Sequence, residues 1–113
     1  MKVKWMPQAV GALYRIAEYI SVRHGQARCD SFLNEAYDAG HMLEQNPEMG
    51  KAEPLLCGRK TLYRSFVVND INKIVYRIMD EQIEIVDFWD VRREPKVLSK
   101  QVKKNKGYSP SHR

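Results

Sequence analysis

Polar and apolar side chains alternate from Lys2 to Met6, the period of a strand, and Pro7 ends it because proline suits a helix start but cannot extend a ladder. The period then lengthens. Val10, Leu13, Tyr14, Ala17 and Ile20 recur three and four residues apart, predicting a helix with one buried stripe that stops at His24-Gly25. A second helix is predicted from Gln26, where Cys29, Phe32, Leu33, Ala36, Gly40 and Leu43 form the apolar stripe until Asn46-Pro47 breaks it. So short a link predicts an antiparallel helical hairpin. Pro47, Gly50, Pro54 and Gly58 make residues 46–59 a connecting loop. Three strands should follow, over residues 60–68, 73–79 and 83–89, separated by the turn sequences Asn69-Asp70-Ile71-Asn72 and Asp80-Glu81-Gln82. The expected fold is therefore α+β, in the order β-α-α-β-β-β, with the hairpin on one face of a small, curved, mainly antiparallel sheet. One domain should span residues 1–98, with a basic tail over residues 99–113 and, where Val91, Val97, Leu98 and Val102 keep some apolar pattern, one short helix before the tail loses periodicity.

Turn geometry extends this to a register. A two- or four-residue loop centred on Asp70-Ile71 sets Arg64 opposite Arg77, and a two-residue turn at Asp80-Glu81 sets Glu84 opposite Arg77. Alternation then assigns Tyr63, Val67, Ile74, Tyr76, Ile78, Ile83, Ile85 and Trp89 to the helix-covered face. The other face would carry Arg64, Phe66, Val68, Lys73, Val75, Arg77, Glu84, Val86, Phe88 and Asp90. A row Arg64-Arg77-Glu84 among aromatic rings suits phosphate contact beside stacked bases, although a solvated sheet face would look similar.

Charge refines the picture. The 113 residues sum to a net +5, but residues 1–90 hold 11 basic and 13 acidic side chains, whereas residues 91–113 hold eight basic ones against Glu94 alone. The positive charge thus belongs to the C-terminal segment, as in arms that attract polyanions. No apolar run reaches the length of a membrane span and no signal-peptide core is visible, so a cytoplasmic protein is expected. Cys29 and Cys57 make neither a disulfide framework nor a metal motif, and His24, His41 and His112 are scattered, so no metal or other cofactor is expected.

Specific residues sharpen the functional expectation. Trp5-x-Pro7, Ile16 and Tyr19-Ile20, the loop Asn46-Pro47-Glu48-Met49-Gly50, and Leu56-x-Gly58 leading into Tyr63-Arg64-Ser65-Phe66-Val67-Val68 come first. Lys73-Ile74-Val75-Tyr76-Arg77-Ile78 and Ile85-x-x-Phe88-Trp89-Asp90-x-Arg92-Arg93-x-Pro95 complete the series. In this order they resemble the RelE/ParE superfamily of toxins from bacterial type II toxin–antitoxin pairs. The resemblance implies a growth inhibitor neutralised by a cognate antitoxin, which usually wraps the toxin with an amphipathic segment. Members either cut mRNA on the ribosome without a metal or inhibit DNA gyrase by binding. For the first activity, Arg64, Arg77, Glu84 and Arg92 are the catalytic candidates, with Lys73, Phe66, Trp89 and Arg93 as RNA contacts. Many of the endonucleases carry His or Tyr near the end of the last strand, where this chain has Trp89-Asp90. Ribosome-dependent mRNA cleavage is the first expectation, and inhibition of DNA gyrase by binding, without bond cleavage, is the alternative.

Overall fold

A computed structural model describes residues 1–92. Strand β1 (Lys2–Trp5) leads into helix α1 (Pro7–His24), which begins with the proline in its first turn behind an extended Met6. Helix α2 (Gln26–Gln45) starts one residue after α1 ends. Gly25 makes this possible at φ 93°, where a side chain would be strained. Its N–H donates to the Ser21 carbonyl at 3.0 Å and its own carbonyl accepts from Cys29 N–H at 3.2 Å, so one residue closes one helix and opens the next.

The loop after α2 contains a two-residue strand, β2 (Lys51–Ala52), and a 3₁₀ turn at Pro54–Leu56. Strands β3 (Arg64–Val67), β4 (Asn72–Met79) and β5 (Gln82–Asp90) complete a five-stranded sheet in the order β1-β5-β4-β3-β2. β1 runs parallel to β5 and the other neighbours are antiparallel, giving the α+β fold expected. The third strand is shorter than its sequence suggested, because residues 60–63 belong to the covering loop. The tail expected over residues 99–113, like Arg93 and the segment from Val97 to Val102 expected to support a short helix, lies outside the described residues.

Alanines bring α1 close to the sheet: Ala9, Ala12, Leu13 and Ala17 are buried, whereas Val10 and Tyr14, expected in the stripe, are 37% and 46% exposed. The α2 stripe of Cys29, Phe32, Ala36, Gly40 and Leu43 is buried as read from the sequence, joined by Ala39. Both helices bury these residues against Ile74, Tyr76, Ile83, Ile85 and Phe88.

Two register features correct the expected faces. Beyond the last residue of β3 the pairing continues through a Val68 N–H bond to the Asn72 carbonyl at 2.8 Å, so the loop it closes holds three residues, Asn69 to Ile71. An odd loop moves the pairing by one, so Arg64 stands opposite Tyr76 rather than Arg77, and Phe66 opposite Ile74. Arg64, Phe66 and Val68 thereby turn to the helix side, and Tyr63 and Val67 away from it. The second feature is a bulge where the β4–β5 register shifts between Val75 and Tyr76: Ile85 pairs with Tyr76 but Asp87 with Val75, leaving Val86 as the extra residue. The bulge exchanges the sides of Phe88 and Trp89, placing Phe88 among the helices and Trp89 on the second face. At Asp80-Glu81 the expectation is met. Both residues have positive φ, 51° and 62°, and this two-residue turn sets Arg77 opposite Glu84.

The second face was expected to be open. Instead Met6, Leu56 and Tyr63, with Leu55 beside them, close over Val75, Val86 and Trp89 as a second apolar cluster.

Candidate functional site

The second face holds buried ionic groups at Arg77 and at Glu53 beside that cluster, and Asp87 of β5 is buried as well, its Oδ1 accepting from Phe88 N–H at 2.8 Å. Arg77, on β4, has a 6% exposed side chain and meets Glu84 on β5 through Nε at 2.8 Å and Nη2 at 2.7 Å, both to Oε1. Its Nη1 donates to the Tyr63 hydroxyl at 3.2 Å, and its guanidinium carbon lies 5.9 Å from the centre of the Tyr63 ring. Burial raises the Tyr63 phenol, with the Arg77 charge and hydrogen bond opposing that rise, so the hydroxyl stays a neutral partner at physiological pH. Cross-strand pairing explains the contact, since Arg77 and Glu84 are direct opposites on one face.

The other group is centred on Glu53, which is 1% exposed and had no part in the sequence reading. Its Oε1 receives Lys73 Nζ at 2.6 Å and the Ser65 hydroxyl at 2.6 Å, while Oε2 accepts from Leu55 N–H at 2.9 Å. Burial pushes this carboxyl up, but the bonds from Lys73, Ser65 and the Leu55 amide outweigh it and hold the group below the usual carboxylate range. Lys73 is thereby committed to an intramolecular pair. Near Glu53 the sequence offers only the local bond from Leu55 N–H; Ser65 and Lys73, which fix its charge, lie 12 and 20 positions further along the chain.

Arg64 serves a different place. Its Nη1 donates to the Gly50 carbonyl at 2.8 Å and to the Glu48 carbonyl at 3.5 Å, on the side of the sheet where Tyr76 lies. The Tyr76 hydroxyl donates to the Pro47 carbonyl at 2.7 Å and accepts from Gly50 N–H at 2.9 Å. Together these residues fasten the loop 47–50 to the sheet. Phe66 is half-buried and edge-on to Tyr76, with ring centres 6.2 Å apart, and Trp89 is 2% exposed inside the second cluster. Arg92 faces solvent but chelates Asp90, through Nε to Oδ1 at 3.0 Å and Nη2 to Oδ2 at 2.7 Å. Of the sequence candidates, the fold brings together Arg77 with Glu84, and Lys73 with Trp89 as cross-strand partners; Arg64 and Arg92 stand apart from both.

The model for the ParE toxin of the type II toxin-antitoxin system parDE matches residues 3–95. The chain belongs to the ParE toxin family. A solved structure titled as the chromosomal ParDE TA system from P. aeruginosa has the same fold as this ParE-family chain, with a TM-score of 0.67 at 18% identity, covering 80% of this chain and 96% of that one. No curated protein matches the ParE-family chain significantly. Among the described residues, none of its helices is long and apolar enough to cross a membrane.

Proposed function

We propose that this protein is the growth-inhibiting toxin of a type II toxin–antitoxin pair and acts in the cytoplasm by binding DNA gyrase, without breaking a bond. The observation that carries the reading is the state of the sheet's ionic side chains. Cutting RNA needs cations able to reach a pentacovalent phosphate and a group able to move a proton. Arg77 and Lys73 are instead consumed by Glu84 and Glu53, and Arg64 by loop carbonyls. Glu84 is occupied by Arg77, and Asp90, the other carboxylate considered, by Arg92. Membership of the ParE family supports the same branch.

A binding inhibitor needs only a stable surface. Buried pairs that stiffen the sheet serve that purpose, and the basic residues from Arg92 onward supply long-range attraction to an acidic antitoxin or to gyrase on DNA. Induced expression in bacteria, with mapping of mRNA 5′ ends and a parallel supercoiling assay, tests the proposal. Inhibited supercoiling with intact mRNA is expected. New 5′ ends within codons, with supercoiling unaffected, would overturn it in favour of ribosome-dependent cleavage.

A further inference from the structure

Strand β1 has β5 on one side and, among the described residues, no strand on the other. An open strand edge offers unpaired backbone groups to any second strand, and soluble proteins block such edges with charges or covering elements. Which groups face outward follows from one bond. Met6 N–H donates to the Ile85 carbonyl, so alternation turns Lys4 N–H toward β5 as well and leaves those of Val3 and Trp5 on the open side. The outward direction of Val3 is seen directly, since its N–H donates to Oε2 of Glu44, on α2, at 3.1 Å. Glu44 Oε1 is turned toward His41 Nδ1 at 3.7 Å, and the Glu44 carbonyl accepts from the N-terminal ammonium at 3.4 Å. Gly40 lets α2 sit this close: a Cβ there would meet Trp5 Nε1 at 3.3 Å.

We propose that the β1 edge is a latent self-pairing surface, held shut against a second copy of this chain by Glu44 and Lys4. Two copies related by a two-fold axis can align this edge antiparallel about Lys4, setting Val3 of one copy opposite Trp5 of the other. That register matches the outward N–H and carbonyl groups of both residues, the ladder a closed dimer needs. Glu44 occupies the Val3 donor and places its carboxylate where the carbonyl of the second strand would lie, and two acceptors cannot share that position. Lys4 is exposed and, in this register, stands opposite its own symmetry mate, where like charges destabilise a strand pair. Lys4 repels only a like charge, so the guard is directed at the chain's own copy rather than at strands in general. The side chains of Val3 and Trp5 pack against the helix-covered core, which fixes the edge in place and leaves blocking, rather than fraying, as the way to silence it.

Sedimentation equilibrium of the full-length chain over a range of concentrations tests the proposal. The parent is expected to stay a monomer, whereas the mass of Glu44→Ala/Lys4→Thr should rise with concentration toward that of two chains. Glu44→Gln/Lys4→Thr keeps an acceptor oxygen for Val3 and should associate less than the alanine variant. Adding Val3→Pro to Glu44→Ala/Lys4→Thr removes the edge N–H without touching the bonds to β5 and should return the chain to a monomer. Mixing Glu44→Ala with Glu44→Ala/Lys4→Glu should give more dimer than either alone, since the register sets the two side chains at position 4 against each other. A cooperative thermal transition shows that each variant is folded, and Glu44→Ser, too short to reach Val3, takes the place of an alanine variant that is not. A folded double variant that stays a monomer at the highest concentration overturns the proposal, as does a parent that dimerises. A dimer that survives Val3→Pro, or growth beyond two chains, overturns it as well.

Discussion

Replacing Arg77 with methionine keeps its bulk in the second face but leaves Glu84 with a charge whose side chain is 13% exposed. Among the described residues the remaining bond to that carboxylate comes from Gln82 Nε2 at 3.4 Å, too long to compensate. Removing one partner of a buried ion pair costs about 3–5 kcal/mol. In a domain of this size each kcal/mol moves the midpoint by roughly 4–8 °C, so Arg77→Met should melt at least about 12 °C below the parent. The double variant Arg77→Met/Glu84→Leu removes the orphaned charge together with its partner. It should recover to within about 1 kcal/mol of the parent or exceed it, because well-packed apolar replacements of a buried pair are commonly neutral or stabilising. Thermal and urea unfolding of the parent, both single variants and the double variant give the coupling directly. The reasoning is refuted if Arg77→Met costs less than about 1 kcal/mol while abolishing growth inhibition, since Arg77 would then act on a target rather than on Glu84. Retained gyrase inhibition by a stable double variant would show that neither charge touches the target.

Other expectations follow from neighbouring groups. Glu53 titrates below the ordinary carboxylate range when folded, so its contribution is fully present above that range and is lost as pH falls through the depressed value; Glu53→Gln should flatten the acid limb of a melting-temperature profile between pH 6 and 3. Burial, together with the hydrogen bond and charge interaction with Tyr14, pushes Tyr37 up to about 12, so absorbance at 295 nm should show one late tyrosinate that Tyr14→Phe brings earlier. Stability tied to Tyr37 should hold below its unfolded value near 10 and disappear as pH rises through 12. A Cβ at Gly50 would meet Tyr76 Cε1 at 2.8 Å and the Ser65 carbonyl at 2.9 Å. Gly50→Ala should therefore cost about 1–3 kcal/mol in urea unfolding, as overpacking does.

The helical hairpin and the Asp80-Glu81 turn were legible because each is decided by a few adjacent residues: a glycine stop, a break at Asn46-Pro47, a two-residue connection. The faces of β3 were not. They depend on whether the loop after Val68 holds an odd or an even number of residues, and Asn69-Asp70-Ile71-Asn72 supports either count until the Val68–Asn72 bond is seen. Trp89 was misplaced for a related reason, since alternation counted from Ile83 crosses the bulge at Val86 without any local sign of it. The charges at Lys73, Arg77 and Glu84 were found by type and position, and Arg77 and Glu84 were paired correctly. Their burial depends on Leu55, Leu56 and Tyr63 folding back over the sheet, an event of tertiary packing that strand periodicity does not encode.

The parallel pairing of β1 with β5 also orders events in time. Lys2 to Trp5 are made 80 residues ahead of their partners Gln82 to Ile85, and the bond from Met6 N–H to the Ile85 carbonyl joins the same two segments. Contacts so distant along the chain form late, since the intervening loop must be closed before they repay its entropy. A nascent chain halted before Gln82 has no strand neighbour for β1 and lacks Ile83, Ile85 and Phe88 from the core that the helices cover. Termination before β5 therefore yields fragments without the fold, and a cell making this protein is exposed to the complete sheet only after β5 has been made.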